Sequence, residues 1–234
     1  DFINENLAIQ LNVFGAANEF HVNQLIFFGS SCMYPKDTHQ PMKENQLCTG
    51  HLEQTSIAYA SAKYAGVQMC KSMNEQNGLV TFIPVIPNTA YGPNDNFDPN
   101  SSHVLSALIR RIHEAKEQDS PKVLLWGTGS PKREFVFVDD IVNACILLLT
   151  SRLTNDILPI NIGVGSDISI KSLAEKISKI VGYSGAIVWD KSKPDGVSRK
   201  LLDNSKITSL GWKLEMQLDS GLKHTYQWYL DNIK

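Results

Sequence analysis

The sequence lacks the glycine-rich fingerprint with which many dinucleotide-binding folds hold a pyrophosphate. Neither G-x-G-x-x-G nor G-x-x-G-x-x-G occurs among its 234 residues. In such folds the motif joins the first strand to a helix whose N-terminal amide groups bind the phosphates. Gly127 and Gly129 do not replace it, because Pro131 and Arg133 follow them instead of a helix. We therefore expect no pyrophosphate site of this kind within these residues.

Other features that are scarce exclude further classes of protein. No apolar run approaches the roughly 18 residues of a transmembrane helix, and no signal peptide is visible, so we expect no membrane association. The net charge is −2 without a basic stripe, which argues against nucleic-acid binding. No C-x-x-C spacing occurs among the scattered cysteines, which are Cys32, Cys48, Cys70 and Cys145. We expect reduced thiols, a cytoplasmic protein and no metal site.

A strand that ends in hydroxyl groups is the first sign of chemistry. The apolar run Leu25–Phe28 is followed by Gly29, Ser30 and Ser31, a pattern typical of a buried strand that ends at a site. Small polar residues are also common in ordinary turns at strand ends, so the pattern alone does not decide between the two.

A tyrosine and a lysine follow at helical spacing. The segment 51–64 has neither glycine nor proline and predicts a helix, on which Tyr59 and Lys63 share one face. Although this spacing also occurs by chance, serine hydroxyls facing a Tyr/Lys pair suit carbonyl reduction, in which the phenol donates a proton. A cation about 4 Å from a phenol is worth roughly 4 kcal/mol at an effective dielectric near 20. We therefore expect Lys63 to lower the pKa of Tyr59 from about 10 by up to about three units.

The rest of the chain alternates between helical and strand patterns, which predicts an α/β fold. We expect strands near 79–86, 123–126, 134–138, 160–163 and 187–189. We expect helices near 1–20, 51–77, 103–118, 139–151, 170–181 and 218–233. Ser101 or Ser102 is the expected cap of the third helix, and Ser169 that of the fifth. Residues 87–93 are expected to form a loop.

Long contiguous motifs resemble those of the extended short-chain dehydrogenase/reductases, and within them the GDP-L-fucose synthase family. They are GSSCMYPK (29–36), TGHLEQT (49–55), YASAK (59–63), YGPNDNFDP (91–99), SSHV (101–104), WGTGSPKREFVFVDD (126–140) and KPDGVSRKLLD (193–203). The resemblance implies an NADPH-dependent enzyme that epimerises GDP-4-keto-6-deoxy-D-mannose at C3 and C5 and reduces C4, giving GDP-L-fucose. Two alternatives stay open, namely a related GDP-deoxysugar synthase, such as GDP-colitose synthase, and a non-catalytic remnant that binds a nucleotide sugar.

The same resemblance implies a domain organisation. Residues 1–93, with a return segment near 133–162, would form a Rossmann-like parallel sheet that binds NAD(P) and whose N-terminal half is missing. Residues 94–132 and 163–234 would form a smaller α/β domain that binds the substrate. The protein would be a homodimer, paired through residues 2–20 and 55–76.

The resemblance also implies roles for individual residues. The catalytic residues would be Ser30, Cys32, Tyr59, Lys63 and His103. The cofactor NADPH would be bound by Ser30, Tyr59, Lys63, Pro87, Asn88, Thr89, Ala90 and His103. The GDP-sugar would be bound by Ser31, Arg111, Trp126, Arg133 and Lys200.

Several of these residues also allow a purely structural interpretation. A cysteine after a strand usually packs in the core, a histidine at a helix start is usually a surface residue, and an aromatic after a strand is usually core. The arginines and the lysine can belong to structural ion pairs. The family reads Thr-Asn-Leu where this chain has Asn88, Thr89 and Ala90, so this segment departs from the family pattern.

Since the fingerprint is absent, we predict that these 234 residues by themselves bind NADPH only weakly and do not turn over. The nicotinamide end of the site would remain, while the two phosphates would lack their usual backbone amides. Calorimetric titration of this polypeptide with NADPH measures the affinity. Micromolar binding would contradict the prediction and reveal a phosphate site of another kind.

Overall fold

The computed structural model describes residues 2–233. Within them the α-helices are α1 (Phe2–Glu19), α2 (Ile57–Asn77), α3 (Val104–Glu117), α4 (Val138–Thr150), α5 (Ile170–Val181), α6 (Ser205–Ser209) and α7 (Leu218–Asn232). In the same range the strands are β1 (Leu25–Phe28), β2 (Phe82–Pro87), β3 (Thr89–Tyr91), β4 (Lys122–Trp126), β5 (Lys132–Arg133), β6 (Phe135–Phe137), β7 (Ile160–Ile162), β8 (Ile168–Ser169), β9 (Ala186–Asp190) and β10 (Arg199–Lys200). The predicted start of the first helix at Asp1 lies outside the described residues.

The chain divides into two compact units, and each is described by itself. The first unit holds the residues up to Asn88 together with Ile141–Gly165 and Leu201–Lys213. The second holds Thr89–Asp140, Ser166–Lys200 and the residues from Leu214 onward. The cofactor and substrate roles of the predicted domains stay predictions.

The first unit is built on a parallel sheet of three strands in the order β1-β2-β7. Helix α2 connects β1 to β2, as parallel neighbours require a crossover. Helix α1 packs on the same core, where the Phe14 ring lies 5.3 Å from Phe27 and 5.4 Å from Phe82. Parallel strands alternating with helices confirm the predicted α/β class.

Pro84 lies inside β2, the middle strand of this sheet, where a residue without an N–H group is unusual. The Leu25 and Gly29 N–H groups donate to the Thr81 and Val85 carbonyl oxygens, so odd-numbered residues of β2 face β1. Even-numbered residues therefore face β7, and the pairing with β7 begins only at Val85. The sheet consequently loses no ladder hydrogen bond at Pro84.

The second unit contains short sheets in the orders β10-β5-β8, β3-β6 and β4-β9. All these pairs are parallel except that of β5 with β8. Helices α3, α5 and α7 share one apolar core, which includes Leu105, Ile109, Leu173 and Leu222. The Ser169 hydroxyl accepts from the Ser172 N–H, which confirms the predicted cap of α5.

The helix α6 and the short strands β5, β8 and β10 were not expected from the sequence. Three further differences concern a helix start, a loop and a cap. Helix α2 begins at Ile57, and a short 3₁₀ turn, Gln54–Ser56, precedes it. The expected loop 87–93 contains the strand β3, because Thr89–Tyr91 pairs with residues 135–137, a partner distant in sequence. His103, rather than a serine, occupies the cap position of α3, where it makes no side-chain capping bond.

Two expectations about the whole chain can also be compared with the structure. In residues 2–233, no helix combines the length and apolar character needed to cross a membrane. No disulfide joins the four cysteines in the part of the chain that the structure describes.

Gly66 of α2 makes the close approach of helix and sheet possible. A Cβ at this position would lie 2.3 Å from the Phe27 ring and 2.9 Å from the Gln10 side-chain oxygen. Gly15 of α1, in contrast, has open space around it.

We predict that Gly66→Ala and Gly15→Ala change stability in opposite directions. Gly66→Ala should lower the free energy of unfolding by about 1–3 kcal/mol, because the methyl group overpacks the core. Gly15→Ala should raise it by up to about 1 kcal/mol, because alanine favours the helix. Urea unfolding followed by circular dichroism measures both variants. Equal stability of the two would contradict the packing described here.

Candidate active site

The carboxyl end of β1 forms a short polar turn. The Gly29 N–H donates to the Val85 carbonyl oxygen at 2.8 Å, which extends the pairing with β2 by one residue. The Ser30 hydroxyl then accepts from the Cys32 N–H at 3.2 Å and caps the 3₁₀ turn Ser31–Met33. The turn thus places three polar side chains in succession at the end of the strand, where ligands of open α/β sheets bind.

Helix α2 brings Tyr59 and Lys63 to this turn. The Lys63 ammonium donates to the carbonyl oxygen of Phe28, the last residue of β1, at 2.9 Å. The same ammonium lies 5.2 Å from the centre of the Phe27 ring and 5.8 Å from that of Tyr59. The predicted common face of Tyr59 and Lys63 is therefore confirmed.

The pKa of Tyr59 corrects the electrostatic expectation. Burial raises it above its usual value and outweighs a hydrogen bond with the Ser30 side chain, which lowers it. Lys63 is not among the groups that lower the pKa of Tyr59. Its ammonium donates to the Phe28 carbonyl oxygen, and desolvation lowers its own pKa. The expected lowering of the Tyr59 pKa was therefore wrong in sign. The hydrogen bond between Ser30 and Tyr59 does bring these two predicted residues together.

Two more of the predicted residues lie at the end of the neighbouring strand. Pro87 ends β2, and Asn88 follows it, 5% exposed, with its N–H donating to the Ile162 carbonyl oxygen. The Ser31 hydroxyl lies 3.5 Å from the Asn88 side-chain oxygen, at the outer limit of a hydrogen bond. The carboxyl ends of β1 and β2 thus share one group of polar side chains.

The residues predicted for epimerisation belong to different units. Cys32 is half-buried in the turn after β1, close enough to Tyr59 for an ionised thiol to raise the pKa of the phenol. His103 lies in the second unit, where it is exposed at the start of α3. Thr89 and Ala90 belong to β3 of that unit.

Trp126, an exposed aromatic residue of the second unit, lies beside Arg111, another predicted substrate residue. It ends β4 with 63% of its surface exposed, and the Arg111 guanidinium lies 5.5 Å from its ring. The neighbouring Arg110 is instead paired with Glu114 at 2.7 Å. Of the two adjacent arginines, Arg111 is therefore the one that lies beside the exposed aromatic ring.

Arg133 and Lys200 are neighbours on paired strands. Lys200 of β10 is in register with Arg133 of β5. Arg133 also lines a cleft of about 170 Å³, together with Trp126 and the residues Pro194–Gly196. Trp126 and Arg133 therefore line one cleft, and Lys200 lies opposite Arg133 on the paired strand.

The first unit also holds a buried polar network that sequence reasoning missed. The Tyr34 hydroxyl donates to the Asn161 side-chain oxygen at 2.6 Å, and the Asn161 N–H donates to Glu44 at 3.0 Å. The Lys206 ammonium lies 3.8 Å from the same carboxylate. Burial raises the pKa of both Glu44 and Tyr34. The only sequence signal was an asparagine between two isoleucines in a buried strand.

Comparison with known proteins places the chain among nucleotide-sugar enzymes. The NAD dependent epimerase/dehydratase family matches residues 1–163. The chain is 50% identical to the probable GDP-L-fucose synthase 1 of Oryza sativa subsp. japonica, over all of this chain and 70% of that protein. It is 48% identical to the GDP-L-fucose synthase of Escherichia coli K12, over 99% of this chain and 74% of that protein.

A solved structure with a bound cofactor is also similar. The GDP-L-fucose synthetase of Naegleria fowleri, in its NADP-bound form, matches with a TM-score of 0.89 at 27% identity. The match covers 97% of this chain and 72% of that structure. It includes both compact units of the present chain.

We predict that Tyr59 ionises above pH 10, because burial raises its pKa. Ser30→Ala should raise that pKa further, since it removes the hydrogen bond that lowers it. NMR titration of ring-labelled tyrosine, with Tyr59→Phe used to assign the signal, measures the pKa directly. A value below 10 would restore the original expectation that Lys63 dominates.

Proposed function

The chain belongs to the NAD dependent epimerase/dehydratase family, and we propose that the natural gene product converts GDP-4-keto-6-deoxy-D-mannose to GDP-L-fucose. The reaction comprises epimerisation at C3 and C5 followed by reduction of the C4 ketone. The observation that carries the proposal is the contact of Ser30 and Tyr59 at the end of β1, with Lys63 on the same face of α2. Identities of 48–50% to GDP-L-fucose synthases support this choice of substrate.

The donor groups at the end of β1 suit the nicotinamide end of a dinucleotide. Ser30 and Tyr59 offer hydroxyl groups, and Lys63 offers an ammonium with three N–H donors, of which one binds Phe28. A nicotinamide dinucleotide would supply the hydride for the C4 carbon. We propose NADPH as this cofactor, and the similar NADP-bound structure supports the choice. Further contacts from Pro87, Asn88, Thr89, Ala90 and His103 are part of the same proposal.

Tyr59 is proposed as the acid that protonates the C4 oxygen. Its raised pKa keeps the phenol protonated near neutral pH, so the proton is available when the oxygen becomes negative. The Ser30 side chain holds the phenol through their hydrogen bond. Lys63 acts as a positioning residue, because its ammonium fixes α2 to the last residue of β1.

Cys32 and His103 are proposed as the acid–base pair of the epimerisation. The C4 ketone makes the protons on C3 and C5 acidic, so one group can remove a proton and the other can return one to the opposite face. Thiols and imidazoles have ordinary pKa values of about 8.5 and 6.5, so both can exchange protons near pH 7. The structure describes Cys32 and His103 in separate units, and their pairing is a proposal from the resemblance.

The GDP part of the substrate is proposed to bind to the second unit. Arg111 and Arg133 can hold phosphate oxygens with two N–H groups each. Trp126 presents an exposed ring, and Lys200 adds a charge beside Arg133. Ser31 of the first unit is proposed to contact the sugar.

The protein is proposed to form a homodimer in the cytoplasm. Helix α1 exposes a large apolar area, since Phe2, Ile9 and Leu11 each have more than 60% of their surface exposed. Apolar patches of this kind often mark contacts between proteins. The cytoplasmic location follows from the scattered thiols and stays a prediction.

We predict that Tyr59→Phe separates the two chemical steps in the natural gene product. Removing the phenol hydroxyl should abolish NADPH oxidation, while deuterium from the solvent should still enter C3 and C5 of the ketosugar. Cys32→Ser should lose most of that exchange. Absorbance of NADPH and proton NMR of the sugar measure the two steps.

Matched controls are available on the same elements. Tyr64→Phe also removes a phenol hydroxyl from α2, and Cys48→Ser alters an exposed thiol. Both controls should retain reduction and exchange. Loss of exchange in Tyr59→Phe equal to that in Cys32→Ser would overturn the division of labour.

A further inference from the structure

A second cation, Lys193, lies beside the exposed Trp126 ring. Its ammonium is 5.6 Å from the centre of the ring, and the Arg111 guanidinium is 5.5 Å from the same centre. The Lys193 ammonium and the Arg111 guanidinium therefore lie beside the same aromatic ring. Lys193 lies in a loop after β9 and is the first residue of the motif KPDGVSRKLLD.

Asp190 is a carboxylate that senses the Lys193 charge, since hydrogen bonds from Ser192 and, to a smaller extent, the Lys193 ammonium lower the pKa of its carboxyl. Asp190 accepts hydrogen bonds from the Ser192 N–H and hydroxyl. In the part of the chain that the structure describes, no carboxylate lies within ion-pair distance of the Lys193 ammonium. A cation on an exposed ring gains only a small stabilisation. Two cations beside one exposed ring therefore leave a positive site that an anion would complete.

The loop that carries Lys193 is held in place by Asp195. The Asp195 carboxylate accepts the Thr128 N–H at 2.9 Å and the Thr128 hydroxyl at 2.6 Å. At Gly127, where φ is +80°, a Cβ would lie 2.3 Å from an Asp195 oxygen. Glycine at position 127 permits this close approach of Asp195. The bonds from Thr128 to Asp195 then fasten the Lys193 loop to the segment that follows Trp126.

Trp126 borders two clefts, and the cations lie around them. One cleft, of about 340 Å³, is lined by Arg111, Trp126 and Trp189 among others. The other is lined by Trp126, Arg133 and the residues Pro194–Gly196. Arg111 and Lys193 thus lie beside the indole ring, and Arg133 lines one of the clefts that the ring borders. This arrangement suits a ligand with an aromatic base and more than one phosphate.

We propose that Lys193 is a further binding residue for the diphosphate of the nucleotide-sugar substrate, and that Asp195 is a positioning residue that holds its loop. The inference rests on the proposed function, because it assumes a GDP-sugar substrate. The Lys193 ammonium binds a phosphate oxygen as a point charge, beside the bidentate arginines. The competing explanation is that Lys193 only packs on Trp126 and contributes nothing to the ligand.

Calorimetric titration of the natural gene product with GDP and with guanosine separates these explanations. Lys193→Ala should weaken GDP binding about tenfold, as expected for one hydrogen bond to a charged group, and should leave guanosine binding unchanged. Lys191→Ala removes a similar exposed charge two residues away and serves as the matched control, with wild-type affinity for both ligands. All the variants should keep the wild-type melting temperature.

Asp195→Asn tests the positioning role through its coupling to Lys193. It should weaken GDP binding when Lys193 is present and should have no further effect in the Lys193→Ala background. Additive losses would mean that Asp195 does not act through Lys193.

The outcomes separate the inference from the function on which it rests. Wild-type GDP affinity in Lys193→Ala, or equal losses for GDP and guanosine, would overturn the role of Lys193 and leave the proposed substrate standing. A natural gene product that binds no GDP at millimolar concentration would overturn both.

Discussion

The hydrogen bond from the Lys63 ammonium to the Phe28 carbonyl oxygen is the contact on which the candidate active site depends. It joins the helix that carries Tyr59 to the last residue of the strand that leads into Ser30. Since Tyr59 lies one turn before Lys63, fixing the ammonium also fixes the direction of the phenol. The Phe28 carbonyl group at the end of β1 therefore holds Tyr59, the proposed proton donor, in position through Lys63.

Close packing of α2 supports this bond. Gly66, a further turn along the helix, lets the Phe27 ring approach the helix backbone. Near the other end, the Asn74 side chain bonds the backbone of Thr81 and Phe82 at the start of β2. The helix is thus tied to both strands of the pair whose carboxyl ends carry the polar groups. A site built on such elements holds its geometry more firmly than one built on loops.

Electrostatics at the site follow from the same packing. The burial that holds Tyr59 against Ser30 also raises its pKa, while the Lys63 ammonium donates to the Phe28 carbonyl oxygen. Sequence spacing could place the two side chains on one face, but it could not reveal which partner the ammonium would choose. That choice depends on a backbone carbonyl 35 residues earlier in the chain.

Local patterns predicted the longer helices and the main strands, because periodicity and capping residues are encoded within a few positions. The short helix α6 (Ser205–Ser209) was not predicted. The strand Thr89–Tyr91 was missed since its partner, residues 135–137, lies far along the chain. The polar network of Asn161 and the approach of Lys193 to Trp126 were missed for the same reason. Ser30, Tyr59 and Trp126 could be singled out because they lie in long motifs, although the motifs do not give the charges or contacts of these residues.

The central claim is that Lys63 organises the proton donor through the backbone of β1, and the rate of C4 reduction in Lys63→Met tests it most directly. In the natural gene product we expect this variant to reduce the ketosugar at least about a hundredfold more slowly, with unchanged affinity for GDP. Lys71→Met, two turns farther along α2, is the matched control and should reduce at the wild-type rate. Reduction by Lys63→Met at the wild-type rate would contradict the account.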